Sequence, residues 1–145
     1  MTGPRDRLAL VGIAIALVGA AVSVYLTLAH YAQVAPACIT TGAVDCGAVT
    51  SSTFSLLPGT QIPITIVGVA WFAVSGVAFA LVASGREPSW LAPAHFALAA
   101  LALLAVLYLV YAEVVVIHRI CEWCTVVHLL VLATFFITLR RLQRA

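Results

Sequence analysis

Four apolar stretches, each about as long as a bilayer is thick, decide what this chain can fold into. They run over about Leu8–Tyr31, Ile62–Ala83, Leu91–Ile117 and Cys121–Leu139. A helix rises about 1.5 Å per residue, so a hydrocarbon core of about 30 Å needs roughly 20 apolar residues. Inside lipid no water binds the backbone, so its N–H and C=O groups must pair within the segment, which makes each stretch a helix. The third is entered through Pro93, a residue tolerated in a first helical turn. The predicted fold is therefore all-α and integral to a membrane: a four-transmembrane-helix bundle with an external loop or short-helix lid between the first and second helices. Small residues such as Gly19, Ala20, Gly68, Gly76 and Ala99 would ease the helix contacts. With 64% hydrophobic and 8% charged residues, the chain is far from the soluble average of about 45–50% apolar and 25% charged. The 145 residues allow one domain, 1–145, with no fused catalytic module. A net charge of +2 gives no reason to expect nucleic acid.

The arginines set the orientation. Arg5 and Arg7 precede the first span, Arg86 lies between the second and third, and Arg140, Arg141 and Arg144 follow the fourth. An even number of crossings puts all six on one side, the cytoplasm, with both termini. The loop Ala32–Gln61 has no basic residue, and Arg119 alone lies on the far side. A cleaved leader is a competing reading of the N-terminus: Met1–Arg7 is basic, and Ala35-Pro36-Ala37 has the small-x-small pattern of a cleavage site. The apolar run is longer than the 7–15 residues of a secretory leader, so a retained span is expected. All seven basic residues are arginine, which hints at a GC-rich bacterial genome.

This topology puts all four cysteines outside the cytoplasm, where disulfides persist. Cys38 and Cys46 lie in the polar loop, whose Gly42, Gly47, Pro58, Gly59 and Thr50–Thr53 run predict mostly irregular structure with one short helix. Phe54, Leu56, Leu57 and Ile62 are apolar enough to settle that loop over the bundle mouth as a lid. Cys121 and Cys124 form a C-x-x-C where the fourth span begins. There the first cysteine meets free backbone N–H groups and the positive end of the helix dipole, which favour a thiolate. The thiolate is the nucleophile in exchange, and a low-pKa thiol also leaves faster. Two such couples side by side can pass two electrons from a soluble dithiol through Cys38–Cys46 to Cys121–Cys124. The electrons then need an acceptor in the bilayer. A quinone fits, because it lives in lipid and takes up two electrons and two protons. The expected enzyme is a membrane thiol–disulfide oxidoreductase coupled to a quinone. Structural disulfides and a zinc half-site are the competing readings of the C-x-x-C.

The arrangement resembles the vitamin K epoxide reductase family, specifically its bacterial members. The likeness rests on four spans, Cys38-x7-Cys46 before the second, Ser52 six residues after Cys46, and C-x-x-C opening the fourth. The run Tyr108-Leu109-Val110-Tyr111-Ala112-Glu113, leading to Cys121-Glu122-Trp123-Cys124, is also similar to bacterial homologues. The quinone-linked disulfide-bond formation protein B shares the count of spans and cysteines but carries its C-x-x-C in the first external loop.

The resemblance implies one transmembrane domain that reoxidises a periplasmic thioredoxin-fold oxidoreductase and reduces a membrane quinone, supporting disulfide bond formation. Cys38 would take electrons from the partner, and Cys46 would relay them through a disulfide with Cys121. Cys124, one turn deeper, would face the quinone, and Ser52 would help position the lid or site. His128 stands where vertebrate members have a quinone-binding tyrosine, and Ile64 where they have an asparagine. These four, Cys124, His128, Ser52 and Ile64, form the expected quinone pocket; the loss of the asparagine favours a plain quinone over an epoxide. Menaquinone suits a GC-rich Gram-positive source and ubiquinone another.

Glu113 is an ionisable group in an apolar span and hence a functional candidate. Its position, two turns from Cys121, suggests pairing with Arg119 at the interface, with a proton route as the other role. Glu122, Arg119 and His118 border the C-x-x-C. His30 and Tyr31 read as interfacial, Trp90 as an interfacial anchor, and Trp71, Phe72 and Phe79 as packing residues. Two other classes compete with the enzyme: a metal-handling membrane protein using the cysteines with His118 and His128, and a structural subunit stapled by its disulfides.

Overall fold

The computed structural model describes residues 4–144, with side chains from Arg7 onward; Met1–Gly3 of the basic leader-like stretch lie outside the described residues. Helix α1 spans Pro4–Tyr31, α2 Cys46–Thr50, α3 Ile64–Ala83, α4 Leu91–Tyr111 and α5 Glu122–Leu142. The four long helices α1, α3, α4 and α5 are each long and apolar enough to cross a membrane. Their surfaces agree with that. Leu17, Leu28, Val77, Leu101 and Leu104 stand exposed on the outside, whereas Ser23, Ser75, Thr134 and Thr138 are buried between the helices. Water would reverse that preference; lipid does not.

Helix α1 packs mainly on α3 and also on α5, and α4 packs on α5. Small residues set the α1–α3 distance. A Cβ added to Gly19 would lie 2.2 Å from the Phe72 ring, and one on Gly12 2.6 Å from Phe79. Gly68 gives the same clearance to the Ser23 hydroxyl, at 2.9 Å. With Phe72 and Phe79 almost wholly buried, glycine is the residue that lets these rings reach the α1 backbone. Hydroxyls add a polar tie: Thr27 Oγ1 lies 2.7 Å from Thr65 Oγ1 and 2.8 Å from the Ser23 carbonyl.

The loop 32–61 is more ordered than its composition suggests. Asp45 caps α2 by accepting the Ala48 N–H at 3.0 Å, and a 3-10 turn follows at Thr53–Ser55. Backbone pairing ties this cap to the α4–α5 connection: Ile120 N–H donates to Ala43 O at 2.8 Å, and Asp45 N–H donates to Ile120 O at 3.0 Å. Phe54 reaches down to the Tyr108 ring of α4, with centroids 6.2 Å apart. The cap therefore lies across one end of the bundle.

The third span departs from a regular α-helix. Past Tyr111 the chain widens into π-helical geometry over Ala112–Ile117 and stops at His118, whose φ of 55° is left-handed. Such insertions are rare and cluster at functional sites. No feature of an apolar run announces one.

At the opposite end, α3 closes with a left-handed Gly85 (φ 71°). Gly85 N–H reaches Val82 O, and Arg86 N–H reaches Leu81 O, a Schellman stop. Arg141 of α5 pairs with Glu87 of this turn. Its guanidinium lies 5.9 Å from the centroid of the Phe79 ring, which in turn contacts His95 edge-on.

Candidate functional site

All four cysteines meet under the cap. Cys46 and Cys121 are wholly buried and pack with Val49, while Cys38, Cys124, Ile117 and Trp123 close around them. Cys38 and Cys46 are joined in a disulfide, and Cys121 and Cys124 are thiols. The Cys46–Cys121 bridge implied by the family resemblance is absent from this state, although its two cysteines share one buried cluster. Within α2 the Cys46 N–H points at Cys38 Sγ, 3.3 Å away.

Cys121 is the N-cap of α5, one residue before the helix proper. Its Sγ accepts the Cys124 backbone N–H at 3.3 Å. The Cys124 thiol, hydrogen-bonded to Cys121, pulls the Cys121 pKa below the ordinary thiol value, helped by the N–H groups of Cys124 and Trp123. Burial and the nearby Glu113 carboxylate oppose that shift without reversing it. A thiolate at a helix start is the arrangement thiol exchange requires.

The loop carrying Cys38 is held against the helix ends by aromatic and polar clasps. Trp123 Nε1 donates to Ala37 O at 2.6 Å, and Ala37 N–H donates to the Tyr25 hydroxyl at 2.7 Å. The Tyr25 and Trp123 rings meet edge-on at 5.3 Å. Glu122 accepts the Ile39 N–H at 3.3 Å. Tyr25 and Trp123 were not singled out from sequence, because an aromatic residue near a span end is ordinarily an interfacial anchor.

Beneath the cap is a small pocket of about 50 Å³, bordered by α1, the cap, α3, α4 and α5. Cys124, His128, Ser52 and Ile64 all line it. His128 is buried, one turn below Cys124. Ser52 turns its hydroxyl to Val49 O at 2.7 Å and so braces the cap. Ile64 opens α3. His30, read from sequence as interfacial, also borders the pocket.

Glu113 requires a correction. Its carboxylate does not pair with Arg119; it accepts the backbone N–H of Cys121 at 3.1 Å and borders the pocket. Arg119 instead sends its guanidinium to the His118 carbonyl, and its N–H to Glu113 O. The π-helical turn causes this, since it carries Glu113 inward and buries it.

The metal reading also meets different geometry. The group of possible ligands among the described residues is Cys38, Cys46 and Glu122, within 4.8 Å of one another, not the cysteines with His118 and His128. Its two sulfurs are bonded to each other, which withholds their thiolates from a cation.

A disulfide and a dithiol packed together at one end of a membrane-spanning helical bundle define a membrane thiol–disulfide oxidoreductase. The chain belongs to the vitamin K epoxide reductase family, whose sequence profile matches residues 10–139, nearly its whole length. That family acts through a cysteine pair and is coupled in general to quinones and thioredoxin-like partners. No curated protein matches the chain.

Proposed function

We propose that this protein reoxidises a thioredoxin-fold partner outside the cytoplasm and delivers the electrons to a membrane quinone, so sustaining disulfide formation. The observation that carries this reading is the contact of both cysteine pairs in one buried cluster, with Cys124 also lining the pocket. The positive-inside arrangement of the arginines supports cytoplasmic termini and a cysteine end facing the periplasm or its equivalent.

The pocket beside Cys124 is the place where the acceptor would meet the C-x-x-C. Apolar side chains of α1, the cap, α3 and α4 line the pocket, joined by His30, Glu113, His128 and the hydroxyl residues Thr50, Ser52, Ser55 and Thr65. A bound quinone supplies the sink for two electrons and two protons. The chain's own residues do the rest. A partner thiolate attacks the Cys38–Cys46 disulfide, and a second attack by the partner's other thiol releases the partner oxidised and leaves both loop cysteines as thiols. Cys46 then attacks Cys121 of a Cys121–Cys124 disulfide, expelling Cys124 as a thiolate, and Cys38 resolves the mixed disulfide. The loop pair is again oxidised and the C-x-x-C reduced, which is the state this structure holds. His128 offers a hydrogen bond to a ligand beside Cys124. Menaquinone is the expected acceptor in a GC-rich Gram-positive source and ubiquinone elsewhere.

Quinone reduction by purified protein tests this, driven either by a reduced thioredoxin-fold protein or by dithiothreitol. Cys38→Ala and Cys46→Ala should lose partner-driven turnover and keep part of the dithiothreitol-driven rate. Cys124→Ala should lose both. Full activity in Cys124→Ala would remove the mechanism.

A further inference from the structure

One buried acid touches both halves of the site. Glu113 is 5% exposed, its carboxylate binds the Cys121 amide at 3.1 Å, and the same side chain borders the pocket beside Cys124 and His128. The chain bends out of α-helical geometry at this residue to put it there. A clamp for the Cys121 backbone needs only a hydrogen-bond acceptor, which an amide or a carbonyl supplies at lower desolvation cost than a carboxyl. A carboxyl adds one thing: it takes up and releases a proton.

We propose that Glu113 is the proton carrier between the Cys121 thiol and the quinone pocket, a role that rests on the quinone-coupled reading above. Counted from the neutral dithiol, oxidation makes one bond, Cys121 Sγ to Cys124 Sγ, and breaks two S–H bonds, that of Cys121 being the one given up when its thiolate forms. Two electrons and two protons leave the sulfurs, and quinone reduction to quinol consumes both. Cys124 borders the pocket and delivers its proton there directly. Cys121 is wholly buried under the cap and does not line the pocket. Its proton passes to the Glu113 carboxylate as the sulfur becomes the nucleophile, and from the Glu113 carboxyl to the pocket. The titratable groups around this route are Cys121, Cys124 and His128 on the α5 side, His30 from α1 and, in the cap, Asp45, whose carboxylate accepts the Ala48 N–H; where α3 and the cap line the pocket they contribute hydroxyl and apolar side chains.

Glu113→Gln separates carrier from clamp, because its amide oxygen still accepts the Cys121 N–H while the proton site is gone. Dithiothreitol-driven quinone reduction should fall on the order of 100-fold and lose its dependence on the carboxyl in the pH profile, with Glu113→Asp partly restoring both. Alkylation of Cys121 without quinone should move the other way and speed up, because a neighbouring negative charge that opposes thiolate formation has been removed. A clamp alone predicts unchanged turnover in Glu113→Gln, and that result would overturn the proposal.

An infrared difference spectrum between the dithiol and disulfide states of the unmodified protein, produced with a soluble disulfide reagent, needs neither quinone nor a variant. It should show a buried carboxyl changing its protonation, with the band shifted in Glu113→Asp. Absence of any carboxyl signal would also overturn the proposal. If the unmodified protein reduces no quinone yet shows the carboxyl change, the quinone-coupled reading fails and the proton exchange between Cys121 and Glu113 stands.

Discussion

The two ends of the bundle handle buried polarity in opposite ways. At the cysteine end polar groups are shared between distant segments: the loop binds Tyr25, Glu122 and Trp123, and Glu113 binds Cys121. At the other end the Arg141–Glu87 ion pair closes the helices beside His95, whose two ring nitrogens have no hydrogen-bond partner. The first end is a set of individually modest contacts converging on sulfur chemistry. The second carries a charged pair between α5 and the α3–α4 turn. A site that must exchange disulfides benefits from contacts that break singly, whereas an end that only holds helices together does not need that freedom.

This contrast can be broken most sharply at the charged pair. Arg141→Ala leaves Glu87 without its cation and should cost on the order of 3 kcal/mol of stability in a thermal melt in detergent. The dithiothreitol-driven turnover of the surviving folded protein should not change. Replacing both partners, as in Arg141→Met with Glu87→Leu, should recover most of that loss. A smaller loss, about 2 kcal/mol, is expected for Gly19→Val, where the new side chain meets Phe72 in a filled core.

At the cysteine end, Tyr25→Phe removes one acceptor from the loop amide of Ala37 and should cost about 1 kcal/mol. Its mark should be kinetic: partner-driven turnover falls because Cys38 is presented less rigidly, while dithiothreitol-driven turnover stays. The smallest change is electrostatic. Because the Cys124 thiol lowers the Cys121 pKa, Cys121 stays thiolate below the ordinary thiol range and loses reactivity only as pH falls through its own lowered value. Cys124→Ala removes that hydrogen bond, so the alkylation profile of Cys121 should move to higher pH. A profile that does not move would place the cause in the helix N–H groups alone.

The features legible in the sequence are those written in side-chain type and spacing. Long apolar runs give the spans, and i to i+3 spacing gives the shared face of Cys121 and Cys124. The placement of Ser52, Ile64, Cys124 and His128 around one pocket follows from positions that the family resemblance had already singled out. What escaped detection depends on backbone geometry. The Glu113–Cys121 bond exists because the helix widens at Ala112 and turns left-handed at His118, and neither event has a residue signature in a run of valines. The pairing of Ala43–Asp45 with Ile120 is made of amides and carbonyls that every residue possesses. His30 and Tyr25 were hidden for another reason: a membrane-interface role explains a polar or aromatic span end equally well.

That pairing across Ile120 has a consequence of its own. Neighbouring residues on an extended backbone face opposite ways, so slippage of Val44 against Ile120 by a single position would displace the start of α2, and with it Cys46, from the sulfur that the proposed relay has it meet. Inserting one residue between Val44 and Asp45 would then interrupt the proposed electron path while leaving every cysteine, the Asp45 cap and the four long helices in place.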